Sequence, residues 1–167
     1  FGQSFAGEPL PTYAAVLAWC VANDVALNAE IKPAPGSERS TGEAVARDTL
    51  LHWPATRRPP PLLSSFSTEA LAAARGVAPD LPRALLFEYP LPADWLARCH
   101  SVEAIALDCH WHSVSPELVR TAHAAGLHVL CYTCNEPARV PELLAWGVAT
   151  VITDAVDRVP FLPPETF

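Results

Sequence analysis

From Ser115 to Asp154 the chain repeats one phrase: polar cap, helix, glycine, apolar strand, then a polar cap again. Ser115-Pro116-Glu117 has the signature of a helix start, with a hydroxyl N-cap, proline at the first helical position and an acid in the first turn. Leu118, Val119, Ala122 and Ala125 follow at helical spacing, and Gly126 ends the helix as a residue free to take a left-handed conformation. Leu127–Thr133 then reads as a strand. Asn135 is placed to cap the next helix, with Glu136 and Pro137 in its first turn, and Gly147 stops that helix before a strand over Val148–Asp154. These strands are nearly continuous apolar runs, as expected of parallel strands covered on both faces.

The same phrase recurs upstream. Pro61–Phe66 is a strand, Ser67 or Thr68 caps a helix over Glu69–Arg75, Gly76 closes it, and Ala84–Phe87 is the next strand. Asp94–Cys99 is a short helix and Val102–Leu107 a strand. At the front, Pro11–Asn23 reads as a helix and Val25–Lys32 as a strand, with Ser40 or Thr41 capping a helix that runs to Trp53. The alternation defines an α/β protein. Six strands fit either an open doubly wound sheet or part of a (β/α)8 barrel. No strand is followed by a Gly-x-Gly-x-x-Gly turn, so the dinucleotide-binding open sheet lacks its phosphate loop. Polar residues (Lys32, Ser64-Ser65, Asp108, Thr133, Thr153-Asp154) stand at the C-terminal ends of the strands, where a barrel carries its active site.

A barrel of eight units needs about 220 residues, and the chain has 167. It contains no Met and starts at Phe1. The expectation is therefore that residues 1–167 are the C-terminal three-quarters of a single TIM-barrel domain, covering about its last six βα units, with the first units missing from the front.

The formal charge of −7, from 11 basic and 18 acidic residues, argues against a grip on nucleic acid or on an anionic membrane surface. No apolar run reaches the length of a membrane span. Five cysteines, an odd number in a chain this long, read as reduced thiols in a cytoplasmic protein rather than a disulfide framework. Assembly into a homo-oligomer is left open.

Leu27–Pro33 is the segment richest in chemistry. Side chains alternate along a strand, so Asn28, Glu30 and Lys32 share one face and Ala29 and Ile31 the other. Burying that polar set unpaired would cost several kcal/mol. Two readings follow: an edge strand with a solvated Glu–Lys pair, or a carboxylate metal ligand beside a cation that meets an anionic group.

Asn28-Ala29-Glu30-Ile31-Lys32 resembles the N-x-E-I-K strand of the glycerophosphodiester phosphodiesterases. Phe5-Ala6-Gly7-Glu8-Pro9-Leu10-Pro11-Thr12 resembles that family's lead into the preceding helix, and Leu62-Leu63-Ser64-Ser65-Phe66 its next strand. Tyr132-Thr133-Cys134-Asn135, Gly147-Val148 and Ile152-Thr153-Asp154 stand in the order of its closing motifs. The departures are Tyr132 for Trp, Cys134 for Val and Ala149 for Asp. The resemblance, closest to the bacterial cytosolic type, implies metal-dependent hydrolysis of a glycerophosphodiester, a small-molecule substrate, to sn-glycerol 3-phosphate and an alcohol. It implies Glu30 as a ligand of Mg²⁺ or Ca²⁺, Lys32 as the cation beside the phosphodiester, and Phe66 and Tyr132 as aromatics that pack either on the substrate or in the core. The family's two catalytic histidines lie on strands that match nothing in this chain. No catalytic residue is therefore expected here, and residues 1–167 alone are expected to be inactive.

Asp108-Cys109-His110-Trp111-His112 ends a strand, so His110 and His112 either join the pocket or are solvated in a loop. Cys131 and Cys134 have the spacing of a redox or zinc pair, or are ordinary thiols. The rivals to the enzyme are a non-catalytic barrel fragment or binding module, and a zinc or thiol-redox module on those cysteines.

Overall fold

The computed structural model describes residue 3 and residues 6–159. Phe5 and residues 160–167, which fall within motifs or bounds drawn above, lie outside the described residues.

Six strands form one sheet in sequential order, every neighbouring pair parallel: β1 (Asn28–Glu30), β2 (Leu62–Ser65), β3 (Arg83–Phe87), β4 (Ala106–His110), β5 (His128–Tyr132) and β6 (Thr150–Val151). Helix α1 (Tyr13–Ala22) precedes β1, and α2 (Glu38–His52), α3 (Thr68–Val77), α4 (Trp95–Ser101), α5 (Pro116–Ala124) and α6 (Val140–Ala145) occupy the connections between the strands. Sequential parallel order with helical crossovers curls the sheet into an open part of a barrel. Among the described residues no helix is long and apolar enough to cross a membrane.

The two faces of the sheet differ. Ile31, Leu63, Leu85, Leu107 and Val129 point outward, are at most 2% exposed, and form the core with the helices. Asn28, Glu30, Ser64, Leu86, Asp108 and Tyr132 point inward. The helix layer closes tightly at α2 and α3, where a Cβ on Gly42 would lie 2.1 Å from the Ala70 carbonyl oxygen. Only glycine allows the two backbones that approach.

Several expected boundaries move. The strand expected over Val102–Leu107 is instead Ala106–His110. Val102 caps α4 and Glu103 takes φ 49°, so the chain turns there before it extends. Asn135 does not cap a helix. Its Oδ1 accepts the Thr153 hydroxyl and the Asp154 N–H, both at 2.9 Å, clipping the end of β5 to the end of β6. The helix starts later, with Pro141 in its first turn. Helix α2 begins at Glu38, before Ser40 and Thr41, whose hydroxyls bond back to Ser37. Gly76 lies inside α3, which ends at Val77 with Ala78 as its cap. Ser67 caps α3 through the Ala70 N–H at 3.1 Å, Ser115 caps α5, and Gly126 and Gly147 follow their helices at φ 77° and 100° as the pattern implies.

Candidate functional site

The inward side chains converge on a cavity of about 820 Å³ at the C-terminal ends of the strands. Asn28, Glu30 and Lys32 line it together, so the alternation continues past the end of β1. Ser64 and Ser65 show how the sequence fixes that end. The Ser65 hydroxyl turns outward, donates to the Ile31 carbonyl at 2.6 Å and accepts the Ser67 N–H at 3.0 Å. The Ile31 N–H donates to the Ser64 carbonyl at 2.6 Å. Both backbone groups of Ile31, just before Lys32, are therefore held by β2. Among the described residues no salt bridge engages Glu30 or Lys32, so the Glu–Lys pair allowed by the sequence does not form; β1 is an edge strand of the sheet, and both side chains are exposed where they line the cavity.

Phe66 and Tyr132 line the same cavity in edge-to-face contact, ring centroids 5.8 Å apart. The Tyr132 hydroxyl donates to the Phe87 carbonyl at 2.8 Å, which anchors the ring across the mouth from β5 to β3. Burial, and then the Asp108 charge, push its pKa up to about 12, so it stays a neutral donor.

Asp108 is the group that the sequence reading did not assign. It sits on β4 opposite Leu86 of β3 and Leu130 of β5. It is 0% exposed, faces the cavity, and neither carboxylate oxygen has a hydrogen-bond partner. Burial, and next the Glu30 charge, push its pKa up to about 7. The Ser64 hydroxyl, also buried on the inner face, is likewise unpartnered. The signal that finds Asp108 is the alternation Ala106-Asp108-His110, once the strand is carried to His110.

His110 ends β4 half-buried at the cavity. Its ring stacks on His112 at 4.9 Å and lies 6.0 Å from both Tyr132 and Tyr89. Its Nδ1 accepts the His112 N–H at 3.3 Å, which in the neutral ring leaves Nε2 as the donor. His112 is exposed and does not line the cavity. Cys131 and Cys134 are buried free thiols. Burial pushes Cys131 up to about 12, which disfavours the thiolate that zinc or redox chemistry needs. Among the described residues no group of three His, Cys, Asp or Glu side chains gathers to hold a metal, so the zinc module is not built. The inward donors, Glu30 and Asp108, are hard carboxylates, the ligand type that Mg²⁺ and Ca²⁺ take. They fit such an ion in kind while leaving most of its coordination sphere to others.

A parallel, helix-covered open barrel with a polar cavity at the C-terminal ends of its strands defines a member of the (β/α) barrel class. Its sequence matches the glycerophosphoryl diester phosphodiesterase family over residues 1–158, and the chain belongs to that family. It is 27% identical over 158 residues to a glycerophosphodiester phosphodiesterase of Caldanaerobacter subterraneus subsp. tengcongensis, spanning 92% of this chain and 62% of that protein. Among solved structures it is similar to an Oleispira antarctica phosphodiesterase in complex with the product sn-glycerol-3-phosphate, at TM-score 0.85 and 28% identity, covering 95% of this chain and 63% of that one. A glycerophosphodiester phosphodiesterase from Thermotoga maritima shares the fold at TM-score 0.60 and 20% identity, covering 81% of this chain and 56% of that one. The chain thus spans somewhat less than two thirds of each of these three relatives.

Proposed function

We propose that this chain supplies the phosphate-binding side of a glycerophosphodiesterase that hydrolyses glycerophosphodiesters to sn-glycerol 3-phosphate and an alcohol, and that it forms the last six βα units of a (β/α)8 barrel. The observation that carries the reading is the unpaired inward set of Glu30 and Lys32 over the cavity, in a chain of this family. Glu30 would hold Mg²⁺ or Ca²⁺, which when bound supplies Lewis-acid polarisation of the phosphoryl group. Lys32 neutralises the oxygens on which negative charge develops, and β2 fixes the backbone beside it so that little reorganisation is needed. Phe66 and Tyr132 wall the cavity against water, with the Tyr132 hydroxyl already committed to Phe87. This chain's own histidines have no assigned part in proton transfer. The five free thiols support a reducing, cytoplasmic setting.

The test is release of sn-glycerol 3-phosphate from glycerophosphoethanolamine by the full-length protein, with and without a chelator. Metal-dependent release that Glu30→Gln abolishes supports the reading. Turnover indifferent to chelator and to that substitution overturns it.

A further inference from the structure

The backbone ladder that fixes β1 stops just short of Lys32. Asn28, Ala29 and Glu30 stand in register with Leu62, Leu63 and Ser64, and the next rung is the Ile31 N–H on the Ser64 carbonyl. That bond holds the Glu30 side of Ile31. The carbonyl on the Lys32 side is held by a side chain instead, the Ser65 hydroxyl, which donates to it at 2.6 Å. Resting on the reading that Lys32 meets the phosphoryl group, we propose that Ser65 is a positioning residue for Lys32, setting where the ammonium stands without touching the substrate.

The Ser65 hydroxyl is oriented from both sides. It accepts the Ser67 N–H at 3.0 Å from the turn into α3, and its single proton goes to Ile31. Ser65 lies beside Leu85 in the outward, apolar layer and is fully buried. A hydroxyl there is costly unless it is bonded, so these two bonds account for its presence. Solvent does not take over its role when it is removed. Ile31 itself is locked into the core by its side chain, and Pro33 confines Lys32 to extended backbone while adding no N–H of its own.

The side-chain rung also resolves a conflict at the end of β2. That strand stops at Ser65, because Phe66 turns to the cavity and Ser67 caps α3. A backbone rung to the Ile31 carbonyl would need β2 to run on. The hydroxyl lets β2 leave the sheet and still grip β1. Reaction rate is sensitive to such placement: a shift of about 1 Å can cost about 10²-fold. Lys32 acts most where negative charge develops, so its displacement is felt in kcat rather than in KM.

The experiment follows release of sn-glycerol 3-phosphate from glycerophosphoethanolamine by full-length protein over a range of Mg²⁺ concentrations. Wild type, Ser65→Ala, Lys32→Met and the double variant are compared, with Ser67→Ala as the structural control. Ser67→Ala removes the α3 cap but leaves the N–H that Ser65 accepts, so it should lower the urea midpoint and keep kcat. Ser65→Ala should lower kcat at least about tenfold, with KM and the half-saturating Mg²⁺ concentration within about threefold of wild type. In the Lys32→Met background the same change should cost less than about threefold, since the group it positions is gone. Ser65→Cys fills the same space with a weak donor and should show the same split, so a folding defect in the alanine variant does not decide the matter. Wild-type kcat in both Ser65 variants, a shift in Mg²⁺ dependence as large as the loss in kcat, a matching kcat loss in Ser67→Ala, or a full loss repeated in Lys32→Met overturns the proposal. If Lys32→Met alone still falls by about 10²-fold, the phosphate-binding reading survives that result. If Lys32→Met turns over like wild type, that reading fails and the positioning role falls with it.

Discussion

Arg83 opens β3 and Asp108 lies in the middle of β4, on the neighbouring strand; they are 5% and 0% exposed. The Arg83 guanidinium donates to the carbonyls of Val102, Pro79, Leu81 and Glu103 at 2.7–3.2 Å, and lies 3.8 Å from the Glu103 carboxylate. Asp108 has no partner. One buried charge is saturated by the loops at the N-terminal end of the sheet. The other waits at the end where a barrel binds ligands. The contrast matches the division expected of this fold, with stability at the first end and ligand binding at the second. Burial alone does not mark a site; Asp108 and Ser64 stand out because their unpartnered oxygens also face one cavity.

The strongest way to break the contrast is at the functional end. In full-length protein, Glu30→Gln keeps size but removes the charge that would hold a divalent cation, so turnover should fall by orders of magnitude and recover only in part at high Mg²⁺ or Ca²⁺. Lys32→Met should cost about 10²–10³ in rate with little change in metal affinity. Turnover of glycerophosphoethanolamine against metal concentration separates the two. Both variants within a few-fold of wild type would return Glu30 and Lys32 to a solvated strand face.

At the other end the effect should be on folding. Arg83→Met leaves four carbonyls without their donor, and each acceptor left buried and unpaired costs about 1–3 kcal/mol. The urea midpoint should drop without a change in m-value. Gly42→Ala forces a methyl into the Ala70 carbonyl and should cost about 1–3 kcal/mol through displacement of α3 from α2. If Arg83→Met instead melted like wild type, the saturated bonds at the N-terminal end would be surface decoration and the contrast would fail.

The alternation of helices and apolar strands was legible because each is a local pattern, and Ser67, Ser115, Gly126 and Gly147 carried it with ordinary cap and turn chemistry. The inward set of Asn28, Glu30 and Lys32 was legible for the same reason, since a period of two needs no tertiary information. What failed was where long-range contacts decide. Val102 and Ala104 look like strand residues, yet Val102 and Glu103 serve a turn whose carbonyls Arg83 collects from another strand. Ending β4 too early placed Asp108 just past the strand rather than on its inner face, so it was given no role. Asn135 has the look of a helix cap, but its acceptor is taken by Thr153 and Asp154, residues far along the chain.

The smallest predicted effect tests Asp108 without any ligand. Its pKa is about 7 folded, against an unperturbed 3.8. Between those values the folded protein keeps a proton that the unfolded chain loses, so stability from this group is full below about pH 4 and declines as pH rises through 7. Asparagine does not titrate. The advantage of Asp108→Asn over wild type should therefore be absent near pH 4, grow through pH 5 and 6, and level off above 7. Three units correspond to a ceiling of about 4 kcal/mol; relaxation and water entry around the carboxylate bring the expected gain to about 1–2 kcal/mol. Urea midpoints of both proteins at pH 5, 6, 7 and 8 give the difference directly, with every other titrating group common to the pair. Parallel curves would show that Asp108 is satisfied in the folded protein and remove the contrast with Arg83. A gap that opens with pH would show the buried carboxylate titrating without a partner in the folded protein.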